Sequence, residues 1–192
     1  KIIPLDSGFS SIWEYNTSET GEIMDITIEG QVHSCFVDES TQVHLGPNDD
    51  INKFALKLKN EGALSLDIEG IKLYQIMNGL IDGEIVRNFK PIPLEISLSD
   101  DISFTKGCYT GQEIIARMDA RGALSRTLVT FSSTSSLDLG NHRVVGGGKL
   151  VVFDSINNNG VSYNLGLIHP DIADEGVKFD INEISCTILT KW

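Results

Sequence analysis

The chain has 192 residues, 41% hydrophobic and 22% charged, enough to bury one good core or two small ones without a disulfide or metal staple. Fifteen Lys and Arg oppose 27 Asp and Glu, giving a net charge of -12, which argues against a broad electrostatic footprint on DNA or RNA. Apolar runs are only a few residues long, far short of the ~20 that a membrane helix needs, so neither membrane nor direct nucleic-acid binding is expected.

From Gly21, Met24, Ile26 and Ile28 alternate with mostly polar neighbours over Ile23–Ile28, the pattern of a half-buried strand. Two more strands are expected at Val32–Val37 and Gln42–Leu45, joined by a turn at Asp38-Glu39-Ser40. Gly46-Pro47-Asn48-Asp49 then breaks the chain. Ile51, Phe54, Ala55 and Leu58 fall at i, i+3, i+4 and i+7, which predicts an amphipathic helix stopping near Gly62. A strand at Ala63–Ile68 should lead into a second helix with Leu73, Ile76, Met77 and Leu80 on one face. Pro91 and Pro93 prevent a long helix between Asp82 and Asp101, so an extended connector is expected there.

After Arg126 the pattern turns to short β-runs: Thr127–Phe131, Val144–Val145, Leu150–Phe153, Val161–Ile168 and Ile184–Leu189. Asn159-Gly160 between two of them is a hairpin signal, because both residues tolerate positive φ. The expected fold is therefore α+β: a mixed α/β layer over 1–122, then a small antiparallel β-barrel of about five strands over 123–192. Gly146-Gly147-Gly148-Lys149 is not a phosphate loop, since Leu150 follows the lysine and a strand follows the glycines.

Cys35, Cys108 and Cys186 stand far apart with no CxxC pair, so no metal site of the chain's own is expected; a sparse, odd count fits a reducing compartment. No charged-then-apolar signal peptide opens the chain, and Asn16-Thr17-Ser18 reads as a chance sequon. The start at Lys1 without Met fits a piece of something longer.

The most informative stretch is Lys106-Gly107-Cys108-Tyr109-Thr110-Gly111-Gln112-Glu113, running into Ile114-Ile115-Ala116-Arg117. Thr110 and Glu113 have capping-box spacing, so a helix should begin just after Thr110. Cys108 would then sit beside Lys106 and the unpaired N–H groups of a helix start, an environment that favours thiolate and anion binding. The charge balance agrees locally: Lys106, Arg117, Arg121 and Arg126 meet only Glu113 and Asp119. The bland alternative is a turn, a cap and a buried cysteine. Cys35 and Cys186 read as core, and His33, His44, His142 and His169 as ordinary surface or core residues.

The octapeptide KGCYTGQE, with IIAR at 114–117, RG at 121–122 and Arg126 at the start of a strand, resembles the signature of the YgfZ family of folate-binding proteins. That family is related to the T-protein of the glycine cleavage system and includes an iron–sulfur assembly factor. Leu73–Gly79 is similar to the family's RIExG stretch, with Gln75 where Arg is usual. The resemblance runs from about Gly21 to the end and has no counterpart for the usual N-terminal part of the folate-binding domain. It implies a partial folate-binding α+β domain and tetrahydrofolate or a derivative as ligand, with Cys108 as the reactive thiol. Lys106, Tyr109, Gln112, Glu113, Arg117 and Arg126 become folate- or anion-binding candidates.

The same resemblance implies a protein that supports iron–sulfur enzymes, including tRNA-modifying ones, with iron–sulfur proteins as partners. Cys108 would be a cluster ligand only if a partner shared the cluster, since one thiolate cannot hold a cluster alone. A second chain supplying the N-terminal part is a further expected partner. The alternatives are a tetrahydrofolate-dependent aminomethyltransferase of T-protein type, which would make the chain an enzyme, and an inert assembly module. The expected compartment is the cytoplasm, with the mitochondrial matrix as the alternative.

Overall fold

The computed structural model describes residues 9–15, 26–38, 41–122 and 124–192. Ile23–Asp25 of the first expected strand, the turn residues Glu39 and Ser40, and the sequon Asn16–Ser18 lie outside them. The chain divides into two compact units, Lys1–Ser65 and Leu66–Trp192.

The first unit is a four-stranded antiparallel sheet with a helix on one face. Its strands are β1 (Phe9–Tyr15), β2 (Ile26–Glu29), β3 (Val32–Asp38) and β4 (Thr41–Pro47), ordered β1-β4-β3-β2. The sequence pattern did not anticipate β1. Helix α1 (Asn48–Asn60) follows β4 directly and packs on β1, β3 and β4. It has Asp49 and Asp50 in its first turn and Lys57 and Lys59 in its last, each complementing the helix dipole. Side-chain alternation puts Val32, Ser34, Phe36, Gln42 and His44 on the face under α1, where Ile51 is buried. His44 lies against the Phe54 ring, with Nδ1 2.8 Å from Ser34 Oγ and Nε2 3.0 Å from Glu14 Oε2. That is a core role, as expected for an isolated histidine.

Residues 63–67 do not form the expected strand. Asp67 instead caps α2 (Ile68–Met77), its Oδ1 accepting from Gly70 N at 2.7 Å, so the local helix start wins over strand propensity. The stretch from Asp82 to Asp101 is also more ordered than an extended connector. Asp82 Oδ1 accepts from Glu84 N and Ile85 N to cap α3 (Gly83–Phe89), and Pro93 opens a 3-10 turn over Pro93–Ile96, a position where proline needs no donor. Helix α4 (Gln112–Arg121) begins where expected, but its N-cap is Gly111 at φ 89, with no side-chain cap. Glu113 pairs with Arg117 instead of closing a capping box on Thr110.

The second unit is built on a curled six-stranded antiparallel half-barrel, one strand more than the sequence pattern implies. Its strands are β5 (Thr127–Ser133), β6 (Gly140–Arg143), β7 (Lys149–Asn158), β8 (Val161–Ile168), β9 (Lys178–Ile181) and β10 (Ile184–Lys191), ordered β6-β7-β8-β5-β10-β9. Val144 and Val145 follow β6 and do not form a strand themselves, and the β6–β7 turn carries the three glycines at positive φ. The β7–β8 hairpin turns at Asn159 (φ 51) and Gly160 (φ 82), as the Asn-Gly pair predicts.

Both faces of this sheet are covered. Val129, Phe131, Leu150, Val152, Ile168 and Ile188 form the core inside the curl. Leu128, Val151, Phe153, Leu165 and Leu167 form a second core on the other face, with Ile76 of α2, Ile85 of α3 and Ile96. Strands buried on both faces read as continuous apolar runs, which is the pattern of Leu150–Phe153 in β7. Helices α2 and α3 and the 3-10 turn bury their apolar side chains on the barrel strands and so fall in the same compact unit as the half-barrel. No helix among the described residues is long and apolar enough to cross a membrane.

Candidate functional site

The motif lies in the second unit, on the loop that enters α4. Lys106 N–H donates to Ser103 Oγ at 3.2 Å, and Gln112 N–H donates to the Tyr109 carbonyl at 3.2 Å, closing a tight turn. Gly111 at φ 89 makes that turn possible, because the left-handed region is costly for any residue with a Cβ. The Lys106 ammonium sits 4.7 Å from the centre of the Tyr109 ring, a cation–π contact worth roughly 0.5–1 kcal/mol at an exposed site. Cys108, between them, is a free and exposed cysteine, not a buried one. Tyr109 and Gln112 are half-buried.

The other expected members are arranged differently. Arg117 donates from Nη2 to Glu113 Oε1 at 2.7 Å, a solvent-exposed i,i+4 pair on α4. Arg126 turns to Glu95: its Nε donates to Oε1 at 2.9 Å and its Nη2 to Oε2 at 2.7 Å. Glu95 is 1% exposed, and it also accepts from Ser125 Oγ at 3.2 Å and from Ile92 N at 3.4 Å. A buried carboxylate held by a two-point guanidinium contact is a strong anchor. It ties the end of the motif segment to the Pro93–Ile96 turn.

Glu95 escaped the sequence reading. The only signal was a charged residue inside the apolar run Pro93-Leu94-Glu95-Ile96. A second buried polar link is Thr130, whose Oγ1 donates to the Ile76 carbonyl at 2.7 Å and accepts from Trp192 Nε1 at 3.0 Å. The structure thus brings Lys106, Cys108 and Tyr109 together on an exposed loop, pairs Glu113 with Arg117, and commits half-buried Arg126 to the buried Glu95.

In the second unit a cleft of about 330 Å³ lies between α2, α3 and β7, and another of about 680 Å³ lies beside β5, β9 and β10; residues 106–126 line neither. Among the described residues, Lys106, Gly107, Cys108 and Thr110 stand exposed on the loop. Among the described residues no three His, Cys, Asp or Glu side chains gather to hold a metal ion. Cys186 is buried and Cys35 is half-buried on β3, so the three cysteines do not fit an iron–sulfur cluster bound by this chain alone.

What these features define is an α+β protein with a cysteine motif displayed at a helix start and a separate curled antiparallel sheet. No family model matches the sequence. It is 39% identical to the tRNA-modifying protein YgfZ of Klebsiella pneumoniae (strain 342) over 90 residues, 46% of this chain and 27% of that protein. It is 44% identical to the tRNA-modifying protein YgfZ of Yersinia pestis (strain Pestoides F) over 57 residues, 30% of this chain and 17% of that protein. The matched stretches span about a quarter or less of the length of these relatives. Over these stretches the chain is similar to proteins named tRNA-modifying protein YgfZ.

Proposed function

We infer that this chain acts as part of a YgfZ-type tRNA-modifying protein, with the 106–113 loop as its working surface. The observation that carries this reading is the exposed KGCYTGQE segment in a chain whose relatives bear that name. Cys108 is the thiol offered to a partner or substrate, and the Lys106 ammonium is the adjacent charge that attracts an anion such as the glutamyl tail of a folate. Lys106 is the cation that such a tail would meet at this loop, since Arg117 pairs with Glu113 and Arg126 with Glu95. A net charge of -12 opposes direct contact with tRNA, so the effect on tRNA runs through iron–sulfur enzymes.

The test is expression of this chain in a bacterium deleted for its own YgfZ protein, with tRNA modification read by mass spectrometry. Restored modification that is lost with Cys108→Ser, at equal levels of folded protein, supports the reading. A folded chain that restores nothing refutes it for this chain by itself. Anaerobic calorimetry with tetrahydrofolate then addresses the ligand. Saturable binding weakened by Lys106→Ala supports a folate site at the motif, and no binding refutes one within this chain.

A further inference from the structure

Between Ile96 and Thr127 the chain leaves the core. Ile96 is 4% exposed and Thr127 5%, yet among the described residues no side chain between them is buried; Ile102, Tyr109, Ile115 and Met118 are half-buried. The hydrogen bonds of this stretch are local as well. Ile102 N–H donates to the Ser99 carbonyl, Lys106 N–H to Ser103 Oγ, Gln112 N–H to the Tyr109 carbonyl and Arg117 to Glu113, and none of these spans more than four residues.

Both ends of the stretch are fixed where they meet the core. Glu95 accepts two hydrogen bonds from Arg126, 31 residues away, and a third from Ser125 Oγ, so the ion pair closes the neck of the excursion. Among the described residues nothing comparable holds α4. It has ten residues, starts at Gly111 without a side-chain cap and buries no described side chain. A helix of that length has a costly nucleus and few hydrogen bonds to offset it, so by itself it is marginal in water. Local opening costs least where burial is least, and that is this stretch.

We propose that residues 97–124 form a hinged arm, which opens and recloses about the Glu95–Arg126 neck while the barrel stays folded, with α4 passing between helix and coil as it does so. Leu128, Val129 and Phe131 are buried directly beyond the neck, so the motion ends at Arg126 and does not enter β5. Lys106 and Cys108 ride on the arm, and the thiol is thereby presented over a range of positions. That this reach serves a partner rests on the function proposed above; the hinge itself rests on burial and hydrogen bonding alone.

Hydrogen exchange of the whole 192-residue chain, read by mass spectrometry of its peptides, tests the hinge. Peptides within 99–122 should exchange at least ~100-fold faster than those of β5 and β8, because opening the arm needs no unfolding of the barrel. Ala116→Pro, which removes a helical hydrogen bond in the middle of α4, gives a second test. It should leave Tm within about 3 °C of the native value and the exchange of β5 and β8 unchanged, whereas a helix that braces the core would lose far more. A smaller exchange ratio, a larger fall in Tm, or failure of Ala116→Pro to fold each overturns the proposal. Neither measurement uses tRNA modification, so the arm and the proposed function fail separately.

Discussion

Removing the Arg126 guanidinium tests the anchor beneath the motif segment. In the native protein Glu95 receives two charge-assisted hydrogen bonds from Arg126, plus weaker ones from Ser125 Oγ and Ile92 N. Arg126→Ala deletes the two strong bonds and leaves a carboxylate at 1% exposure with only the two weak donors. Breaking one side of a buried ion pair costs ~3–5 kcal/mol, because the stranded charge keeps its desolvation penalty and loses its partner. Since Arg126 itself is 35% exposed, the lower end of that range is expected. For a unit of this size about 3 kcal/mol lowers Tm by roughly 10 °C. Replacing both partners with apolar residues, Glu95→Leu with Arg126→Met, should recover most of the loss, since no charge is then buried alone. Urea unfolding followed by tryptophan fluorescence measures all three variants. A cost below ~1 kcal/mol for Arg126→Ala would refute the anchor and return Arg126 to the anion-binding candidates.

Further outcomes follow from the same coordinates. Thr130→Val strands the Trp192 indole N–H and leaves the Ile76 carbonyl only its 3.3 Å contact from Gly79 N–H, and should cost ~1–3 kcal/mol in chemical denaturation with a shift in Trp192 emission. A Cβ on Gly166 would collide with the Val151 carbonyl oxygen, so Gly166→Ala should disrupt the β7–β8 pairing and abolish cooperative unfolding of the barrel. Burial, with Asp180 nearby, pushes the Cys186 thiol up from 9.0 to about 11. The folded state therefore keeps this proton where the unfolded chain has lost it, and stability falls as pH rises from about 9 to 11. Cys186→Ala should flatten that part of the stability–pH curve. At pH 8 iodoacetamide should label exposed Cys108 while leaving Cys186 protected until unfolding, as mass spectrometry of the labelled chain will show.

The sequence by itself determined what depends on local periodicity and turn chemistry. The Ile51, Phe54, Ala55, Leu58 stripe specified α1, Asn159-Gly160 specified a hairpin, and the motif segment specified a helix start near Thr110. These are readable because each rests on neighbours within about one turn of chain. Tertiary structure decided the rest. Residues 63–67 were expected as a strand but pair with none, and the Asp67 cap, which rests on Gly70 N, takes the chain into α2. Glu95 and Arg126 are 31 residues apart, and no local pattern announces that a charge in an apolar run will meet its partner there. The choice of the face that α1 covers on the first sheet was equally hidden. Alternation in each strand predicts two faces, but only the order β1-β4-β3-β2 and the seating of α1 decide which one is covered. The physical reason is the same in each case: burial and pairing are set by residues distant in sequence, whose positions exist only once the chain has packed.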